Sequence, residues 1–148
     1  MKVELITVGK ARSPFVEAGT HYLKMLKPLT PVEVTEVRDD AALIRTVQTA
    51  RASGGNRPDA GTLVTLEAGG REMTSERWAE WLGQRRQEGK RLTFLIGGPE
   101  GLPGEVTILA DQRLSLGPQT MAHQLARIVL LEQLFRASKI LAGQKYHL

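Results

Sequence analysis

The chain has no cysteine among its 148 residues. This absence excludes disulfides, thiolate nucleophiles and cysteine-based metal sites. The sequence also contains no apolar run of the length that crosses a membrane. Its opening residues, MKVELITVGK, are typical of a first strand and lack the basic and then apolar layout of a signal peptide. We therefore expect a cytoplasmic protein with no membrane partner.

Phosphate-binding fingerprints are absent as well. Neither G-x-G-x-x-G nor G-x-x-x-x-G-K-S/T occurs in the chain, which argues against nucleotide triphosphate chemistry. What is present is an ordinary globular composition, 41% hydrophobic and 24% charged, at a length that suits one domain over residues 1–148. The net charge of +4 and the pI near 9.7 favour a polyanionic partner to a modest degree.

Strand-like and helix-like segments alternate along the chain. The predicted strands are residues 3–8, 32–37, 62–66, 91–96 and 113–116. The predicted helices begin at the Ser13-Pro14 cap, at Asp40, at the Ser75 cap, near Val106 and near Met121, the last running to Leu141. This alternation predicts an α/β fold with a largely parallel sheet and helices on both faces. In such sheets, ligands bind beyond the carboxyl ends of the strands.

Three glycine-bearing loops follow the last three predicted strands. In residues 97–101 (Gly-Gly-Pro-Glu-Gly), three glycines and a proline fix a tight turn and let the backbone approach a ligand closely. Residues 116–121 are mostly uncharged and suit a neutral ring held by backbone amides. Residues 68–70 (Ala-Gly-Gly) are expected to be flexible. The alternatives are a plain strand-to-helix turn for the first loop and an ordinary helix cap at Thr120 for the second.

His123 and Arg127 are spaced i, i+4 in the first turns of the final helix, so we expect them to share a face. A cation near a helix N-terminus opposes the macrodipole, which favours an anionic substrate nearby. The alternative is a pair of surface polar groups. Tyr146 and His147 lie beyond the helix, in a tail of a kind that is commonly disordered.

Apolar residues surround the final helix almost completely between positions 125 and 141. A helix that is apolar all round is buried on all sides, so we expect a subunit interface, most simply that of a two-fold dimer. Glu132 and Arg136 are spaced to pair within this surface. Four basic residues between positions 85 and 91 indicate either a solvated helix end or a patch that contacts an RNA backbone.

Four segments in the last third of the chain carry a family likeness. They are residues 95–102 (LIGGPEGL), 114–116 (LSL), 123–127 (HQLAR) and 131–137 (LEQLFRA). With this spacing the chain resembles the RlmH family, the ribosomal large-subunit pseudouridine N3-methyltransferases of the SPOUT class. Residues 64–66 (VTL) in the middle of the chain also fit the family.

This resemblance implies a SPOUT fold, with a mainly parallel five- to six-stranded sheet and a C-terminal trefoil knot. It implies a homodimer that acts on a pseudouridine of large-subunit ribosomal RNA within assembled ribosomes, with no DNA partner. S-adenosylmethionine would bind in the knot, and no metal is expected. By position, the cofactor-binding residues would be Leu66, Gly97, Leu116, Gly117, Pro118, Gln119, Thr120 and Met121.

The chain departs from the family pattern at three places. Ala122 stands where proline is common, and Phe135 stands where tyrosine is common, so a hydroxyl is missing. The tail, residues 143–148 (GQKYHL), differs from the usual Asn-His-x-Tyr-His followed by a basic residue.

The expected catalytic residues are His123, Arg127, Tyr146 and His147. Arg127 would stabilise negative charge that develops on the base, and His123 or His147 would help to remove the N3 proton. Two other functions stay open at this point. One is a catalytically silent ribosome- or RNA-binding module, which the basic charge allows. The other is a flavodoxin-like nucleotide-binding enzyme, which the alternation of strands and helices allows.

Overall fold

The computed structural model describes residues 1–54 and 61–146, with ten helices and strands. The strands are β1 (Val3–Val8), β2 (Val32–Val37), β3 (Thr62–Glu72), β4 (Leu92–Ile96) and β5 (Gln112–Ser115). The helices are α1 (Phe15–Leu26), α2 (Asp40–Gly54), α3 (Ser75–Glu88), α4 (Gly104–Thr107) and α5 (His123–Leu141). Residues 55–60, His147 and Leu148 lie outside the described residues.

The five strands form one parallel sheet in the order β2-β1-β4-β3-β5. The predicted α/β class and the predicted parallel sheet are therefore confirmed. All five residues of β4 are buried, as expected of a strand covered on both faces. β2 lies at one edge of the sheet and alternates half-buried with exposed residues, as its sequence pattern predicts.

Helices cover both faces of this sheet. On one face α5 packs between α1 and α3, over a core that includes Leu5, Phe94 and Leu114. On the other face α2 and α4 pack over a smaller core that includes Ile6 and Leu95. Alternate residues of each central strand therefore enter different cores, as the pleat requires. α5 is thus buried along one side by its own subunit.

Two predicted helix caps are wrong. Ser13 is not the N-cap of α1, because Pro14 occupies that position and the Ser13 hydroxyl instead donates to Glu17 Oε1 at 2.6 Å. α3 is capped one residue earlier than predicted, by Thr74, whose Oγ1 accepts from the Arg77 N–H at 3.2 Å. At α3 two neighbouring hydroxyl residues compete for one cap, and sequence alone does not rank them, whereas α1 begins without a side-chain cap.

β3 is longer than predicted, because it continues through the glycines that were expected to form a flexible loop. Leu66 and Arg71 both pair with Leu114, so residues 67–70 form a bulge between them. A Cβ at Gly70 would lie 2.6 Å from the Leu114 carbonyl carbon, so this return to the ladder needs glycine. The bulge directs residues 67–69 away from the sheet at its carboxyl edge.

Within the described part of the chain, no helix combines the length and apolar character that crossing a membrane requires. The trefoil knot expected from the family resemblance stays a prediction.

Candidate functional site

A cavity of about 680 Å³ lies beside the bulge of β3 and beyond the carboxyl ends of β4 and β5. Its lining residues are 66–69, 96–102, 116–117, 119–123 and Ala126. The structure therefore brings the three predicted loops together around one space. Seven of the eight residues predicted to bind a cofactor line this cavity, and Pro118 does not. The volume falls within the about 300–1,000 Å³ of typical small-molecule sites.

The loop of residues 97–101 is built by close backbone contact. Gly101 N–H donates to the Gly98 carbonyl at 3.0 Å, and Gly101 has a positive φ of 83°. A Cβ at Gly97 would lie 2.4 Å from the Gly101 carbonyl carbon and oxygen, a distance that no side chain tolerates. These glycines therefore shape the cavity wall by allowing backbone to pack on backbone.

Ser115, at the end of β5, holds the second loop in place and was missed by sequence reasoning. Its buried hydroxyl accepts from Gly117 N–H at 3.0 Å and lies 3.1 Å from the Ala68 carbonyl oxygen. It thereby links the loop after β5 to the bulge of β3, the two segments that face each other across the cavity. No local pattern marks this serine, because its partner Ala68 is 47 residues away.

The alternative interpretation of the second loop, a helix cap at Thr120, is wrong. α5 begins at His123, with Ala122 as an N-cap that makes no side-chain hydrogen bond. Thr120, Ala122 and His123 all line the cavity instead. The uncapped end of a long helix therefore opens onto the site.

Two carboxylates at the cavity were also missed. Glu67 and Glu100 both line it, on the loops after Leu66 and after β4. Glu67 Oε2 accepts from the Thr65 hydroxyl at 2.6 Å and lies 3.7 Å from Arg113 Nε, while Glu100 is exposed. Their negative charge suits a ligand that carries positive charge. The signal available in the sequence was their position inside two loops already singled out.

His123 is the one predicted catalytic residue that the described structure places in the cavity wall. Burial lowers its pKa, and the positive charges of Arg127 and Arg12 lower it further. Its imidazole is therefore mainly neutral at pH 7 and able to accept a proton.

Arg127 lies one turn after His123 on α5, as the spacing predicts, and its charge acts on that histidine. Its side chain is buried and does not line the cavity. Nη1 donates to Glu36 Oε2 and Nη2 donates to the Gly9 carbonyl, both at 2.6 Å. The guanidinium is thus bound to the ends of β1 and β2.

Tyr146 lies far from the cavity of its own chain. Its ring packs edge-on against Phe135 with 4.8 Å between centroids, and the Arg136 guanidinium carbon lies 4.5 Å from its centroid. Burial raises the pKa of Tyr146, and the Glu132 carboxylate adds to this. Phe135 is separated from His123 by about 18 Å of helix at 1.5 Å per residue. One chain therefore does not bring the predicted catalytic residues into one cluster.

Two arginines of the predicted basic group have structural partners. Arg85 pairs with Glu88 at 3.2 Å, and Arg86 donates to the Leu29 carbonyl at 3.2 Å. Lys90 and Arg91 are exposed at the amino end of β4, the opposite edge of the sheet from the cavity. The described residues include no group of three or more His, Asp or Glu side chains at metal-binding separations.

Comparison with known proteins identifies the family. The sequence profile described as "Predicted SPOUT methyltransferase" matches residues 1–147. The chain belongs to this family. A SPOUT methyltransferase relative, Ribosomal RNA large subunit methyltransferase H of Stenotrophomonas maltophilia, is 38% identical over 154 residues, or 99% of each chain. The protein of the same name from Halothermothrix orenii is 36% identical over 158 residues, again 99% of each chain.

Solved structures share the SPOUT fold. A probable methylase family protein of Haemophilus influenzae matches with a TM-score of 0.59 and 12% identity, over 99% of this chain and 70% of that one. The SpoU methyltransferase AviRb of Streptomyces viridochromogenes, solved with the cofactor AdoMet, matches with a TM-score of 0.54 and 13% identity, over 97% of this chain and 59% of that one. At such identities these likenesses concern the fold alone.

Proposed function

We propose that the protein transfers a methyl group from S-adenosylmethionine to N3 of a pseudouridine in large-subunit ribosomal RNA, as a homodimer acting on assembled ribosomes. The observation that carries this proposal is the cavity beside the bulge of β3 and beyond the carboxyl ends of β4 and β5, where the three predicted loops meet. The relatives named Ribosomal RNA large subunit methyltransferase H support the substrate class, because they align with nearly the whole chain.

The residues of the cavity fit this cofactor. Leu66, Leu116 and Met121 offer an apolar surface for an adenine ring, beside a backbone kept free of side chains at Gly97 and Gly117. Glu67 and Glu100 supply negative charge for a sulfonium and an ammonium group. The absence of a phosphate cradle agrees with a ligand that has no phosphate.

The cofactor would supply a methyl group bonded to a positively charged sulfur. The N3–CH₃ bond forms as the S–CH₃ bond breaks, and the N3 proton passes to a base. We assign that task to His123, because it lines the cavity and its lowered pKa keeps the imidazole mainly neutral at pH 7. His147 stays the alternative base.

We propose an indirect role for Arg127. A direct contact with the substrate base would require its guanidinium to leave both Glu36 and the Gly9 carbonyl. Its contacts are better suited to hold the ends of β1 and β2 against α5. Arg127 would thereby fix the position of His123, one turn away on the same helix.

The dimer proposal is supported by the outer surface of α1 and α5. Val16, Leu125, Ile140 and Leu141 are large apolar side chains between 39% and 43% exposed. The Glu132–Arg136 pair predicted from sequence is present on α5, at 2.8 Å. In a two-fold dimer the tail of one subunit would reach the cavity of the other. Tyr146 and His147 would then act in trans, because Tyr146 is remote from its own cavity.

The test is nucleoside mass spectrometry of ribosomal RNA from cells with and without this gene. We expect one methylated pseudouridine of the large subunit to disappear in the deletion strain. It should return when purified protein and S-adenosylmethionine are added to the undermethylated ribosomes. Unchanged modification in the deletion strain would contradict the proposal. Tight ribosome binding without methyl transfer would favour the silent binding module.

A further inference from the structure

The loop between β1 and α1, residues 9–12, is exposed and yet has its backbone held by side chains from distant elements. Gln124 on α5 donates from Nε2 to the Lys10 carbonyl at 2.9 Å and accepts from Arg12 N–H at 3.1 Å through Oε1. One amide group thereby clamps both ends of a three-residue segment. Both bonds span more than 110 positions of sequence.

Two further backbone groups of this loop are bound by side chains of β2 and α5. Glu36 Oε2 accepts from Ala11 N–H at 2.6 Å, and the same oxygen accepts from Arg127 Nη1. Arg127 Nη2 donates to the Gly9 carbonyl at 2.6 Å. We call this set of contacts among Glu36, Gln124, Arg127 and residues 9–12 the rim network.

A loop at a protein surface does not need so many hydrogen bonds from side chains to its backbone. Water hydrates an exposed backbone without help, whereas here an arginine that is only 5% exposed donates one of its hydrogen bonds to the backbone of this loop. The Nε of Arg127 is moreover buried without a hydrogen-bond partner in the described structure, which is unfavourable. Such an arrangement fixes where the side chains of the loop are displayed, at a cost in stability.

The loop displays two cations, Lys10 and Arg12. Both are exposed, and neither makes an ion pair within 4.0 Å among the residues that the structure describes. The charge of Lys10 acts on Glu36, but that carboxylate is hydrogen-bonded to Arg127 and to Ala11 N–H. Two exposed positive charges on a loop with a fixed backbone are suited to an anionic partner.

The loop lies at the edge of the cofactor cavity. β1 ends beside the loop after β4, where a Cβ at Gly98 would be 3.4 Å from Val8 Cγ1. On the other side, Gln124 follows His123 directly, and the charge of Arg12 contributes to the lowered pKa of that histidine. An RNA strand that presents a base to the cavity would therefore pass close to Lys10 and Arg12.

We propose that Lys10 and Arg12 form a phosphate-binding pair, held in position by the rim network, that binds the RNA backbone next to the nucleotide entering the cavity. This inference rests on the proposed function and names the surface by which so small a protein binds its RNA. Phosphate contacts position a protein on nucleic acid without reading its sequence, which suits a substrate recognised by shape.

The experiment compares the double variant Lys10→Ala/Arg12→Ala with Lys90→Ala/Arg91→Ala. Both variants lose two exposed positive charges, but the second pair lies at the opposite edge of the sheet. Binding to undermethylated ribosomes is measured by co-sedimentation at several salt concentrations, and methyl transfer is measured with labelled cofactor. Calorimetry with S-adenosylmethionine reports cofactor binding separately.

We expect the Lys10/Arg12 variant to bind ribosomes about tenfold more weakly, with an unchanged cofactor Kd. The slope of log affinity against log salt should fall by about 1.4–1.8, because two phosphate contacts are lost. Its KM for ribosomes should rise while kcat changes little, and the Lys90/Arg91 variant should match the wild type. Equal losses in the two variants, or wild-type binding by the Lys10/Arg12 variant, would overturn the inference. Loss of cofactor binding in that variant would also overturn it.

A further variant tests the positioning. Gln124→Ala keeps both cations but releases the two backbone contacts of the loop. We expect weaker ribosome binding with the wild-type salt slope, since the number of phosphate contacts is unchanged. If the wild type binds ribosomes but transfers no methyl group, the proposed function fails, while the binding comparison still decides the role of Lys10 and Arg12.

Discussion

The cavity wall and the rim network lie side by side and are built in opposite ways. In the wall, backbone packs closely on backbone, and there is no room for a side chain where Gly97 meets Gly101. The rim network is made of long polar side chains, Glu36, Gln124 and Arg127, that bind backbone far away in sequence. The wall therefore depends on steric fit, which one added methyl group destroys. The rim depends on hydrogen bonds and charges, which single substitutions weaken by degrees.

The largest loss of methyl transfer is expected from substitution of His123, which lines the cavity and precedes Gln124 of the rim network. His123→Gln keeps a polar side chain of similar size but removes the proton acceptor. Methyl transfer should fall by about 10²–10⁴, the usual contribution of a general base, while cofactor binding is retained. Wild-type turnover in this variant would assign the proton transfer elsewhere, first of all to His147.

The pH dependence of methyl transfer by the wild type also tests whether His123 is the base. Because burial and neighbouring positive charges lower the pKa of His123, the neutral form persists below the usual value of 6.5. We expect kcat/KM for ribosomes to decline only at pH below about 6.5. A decline centred above that pH would argue against His123 as the base.

The next largest effect tests the steric character of the wall. Gly97→Ala places a Cβ 2.4 Å from the Gly101 carbonyl, so the loop must move. We expect about 2–3 kcal/mol less free energy of unfolding and at least about tenfold weaker binding of S-adenosylmethionine. Urea denaturation and calorimetry measure the two effects.

Gly104→Ala is the matched control for the wall. Gly104 begins α4 a few residues further along, and a Cβ there would meet nothing within 4 Å. Its stability and cofactor affinity should equal those of the wild type. Wild-type cofactor binding by Gly97→Ala would show that the wall is not sterically determined.

The two regions also differ in how far sequence could predict them. The wall was predictable because its signal is local: glycines crowded after residues 66, 96 and 116, at the carboxyl ends of parallel strands. The rim network was not, since Arg127 contacts Gly9 across 118 positions and Glu36 across 91. Spacing alone predicted only that Arg127 and His123 share a face.

The predicted fold contains smaller errors, which also arise where local sequence does not determine the structure. Alternation predicted the parallel sheet but not its strand order, and β1 and β2 were predicted with their observed ends. The extension of β3 was missed because glycine pairs usually end strands, and only the contact of Gly70 with Leu114 explains why this one does not. The cap of α3 was misplaced because Thr74 and Ser75 are equally suitable, whereas α1 and α5 begin at residues without a side-chain cap.

A smaller effect is expected from breaking the rim network at its centre. Arg127→Ala removes two hydrogen bonds from a buried guanidinium, but Glu36 keeps part of its exposure to water. We expect a loss of about 2 kcal/mol in the free energy of unfolding. Arg38→Ala, which removes an exposed pair with Asp39, should change stability by less than about 0.5 kcal/mol. Equal effects of the two substitutions would contradict a structural role for Arg127.

The pKa of Glu36 predicts how the stability of Arg127→Ala differs from that of the wild type at acid pH. Burial would raise the pKa of Glu36, but hydrogen bonds from Arg127 and Ala11 and the charges of Arg127 and Lys10 outweigh it, so the pKa is lowered. A carboxyl group of this kind stabilises the fold above its unfolded pKa of about 4.5, and this contribution is lost as the pH falls through the folded pKa. The wild type should therefore lose more stability than Arg127→Ala below pH 4.5.

The smallest effect on the stability of one subunit is expected at the outer surface of α5. Leu125→Ser/Ile140→Ser replaces two side chains that are 43% and 41% exposed, so the isolated subunit should lose little. Sedimentation equilibrium should nevertheless show a shift from dimer to monomer. Ile108→Ser is the control, because Ile108 is 76% exposed next to α4, on the other face of the sheet. A monomeric wild type would refute the proposed dimer.

We propose above all that the bulge of β3 and the loops after β4 and β5 form a binding site for S-adenosylmethionine. Calorimetric titration of the wild-type protein with S-adenosylmethionine, FMN and ATP tests it most directly. Saturable binding of S-adenosylmethionine alone is the predicted result, since the cavity offers carboxylates and bare backbone but no phosphate-binding fingerprint. Binding of FMN or ATP in its place, or no binding of S-adenosylmethionine, would contradict it.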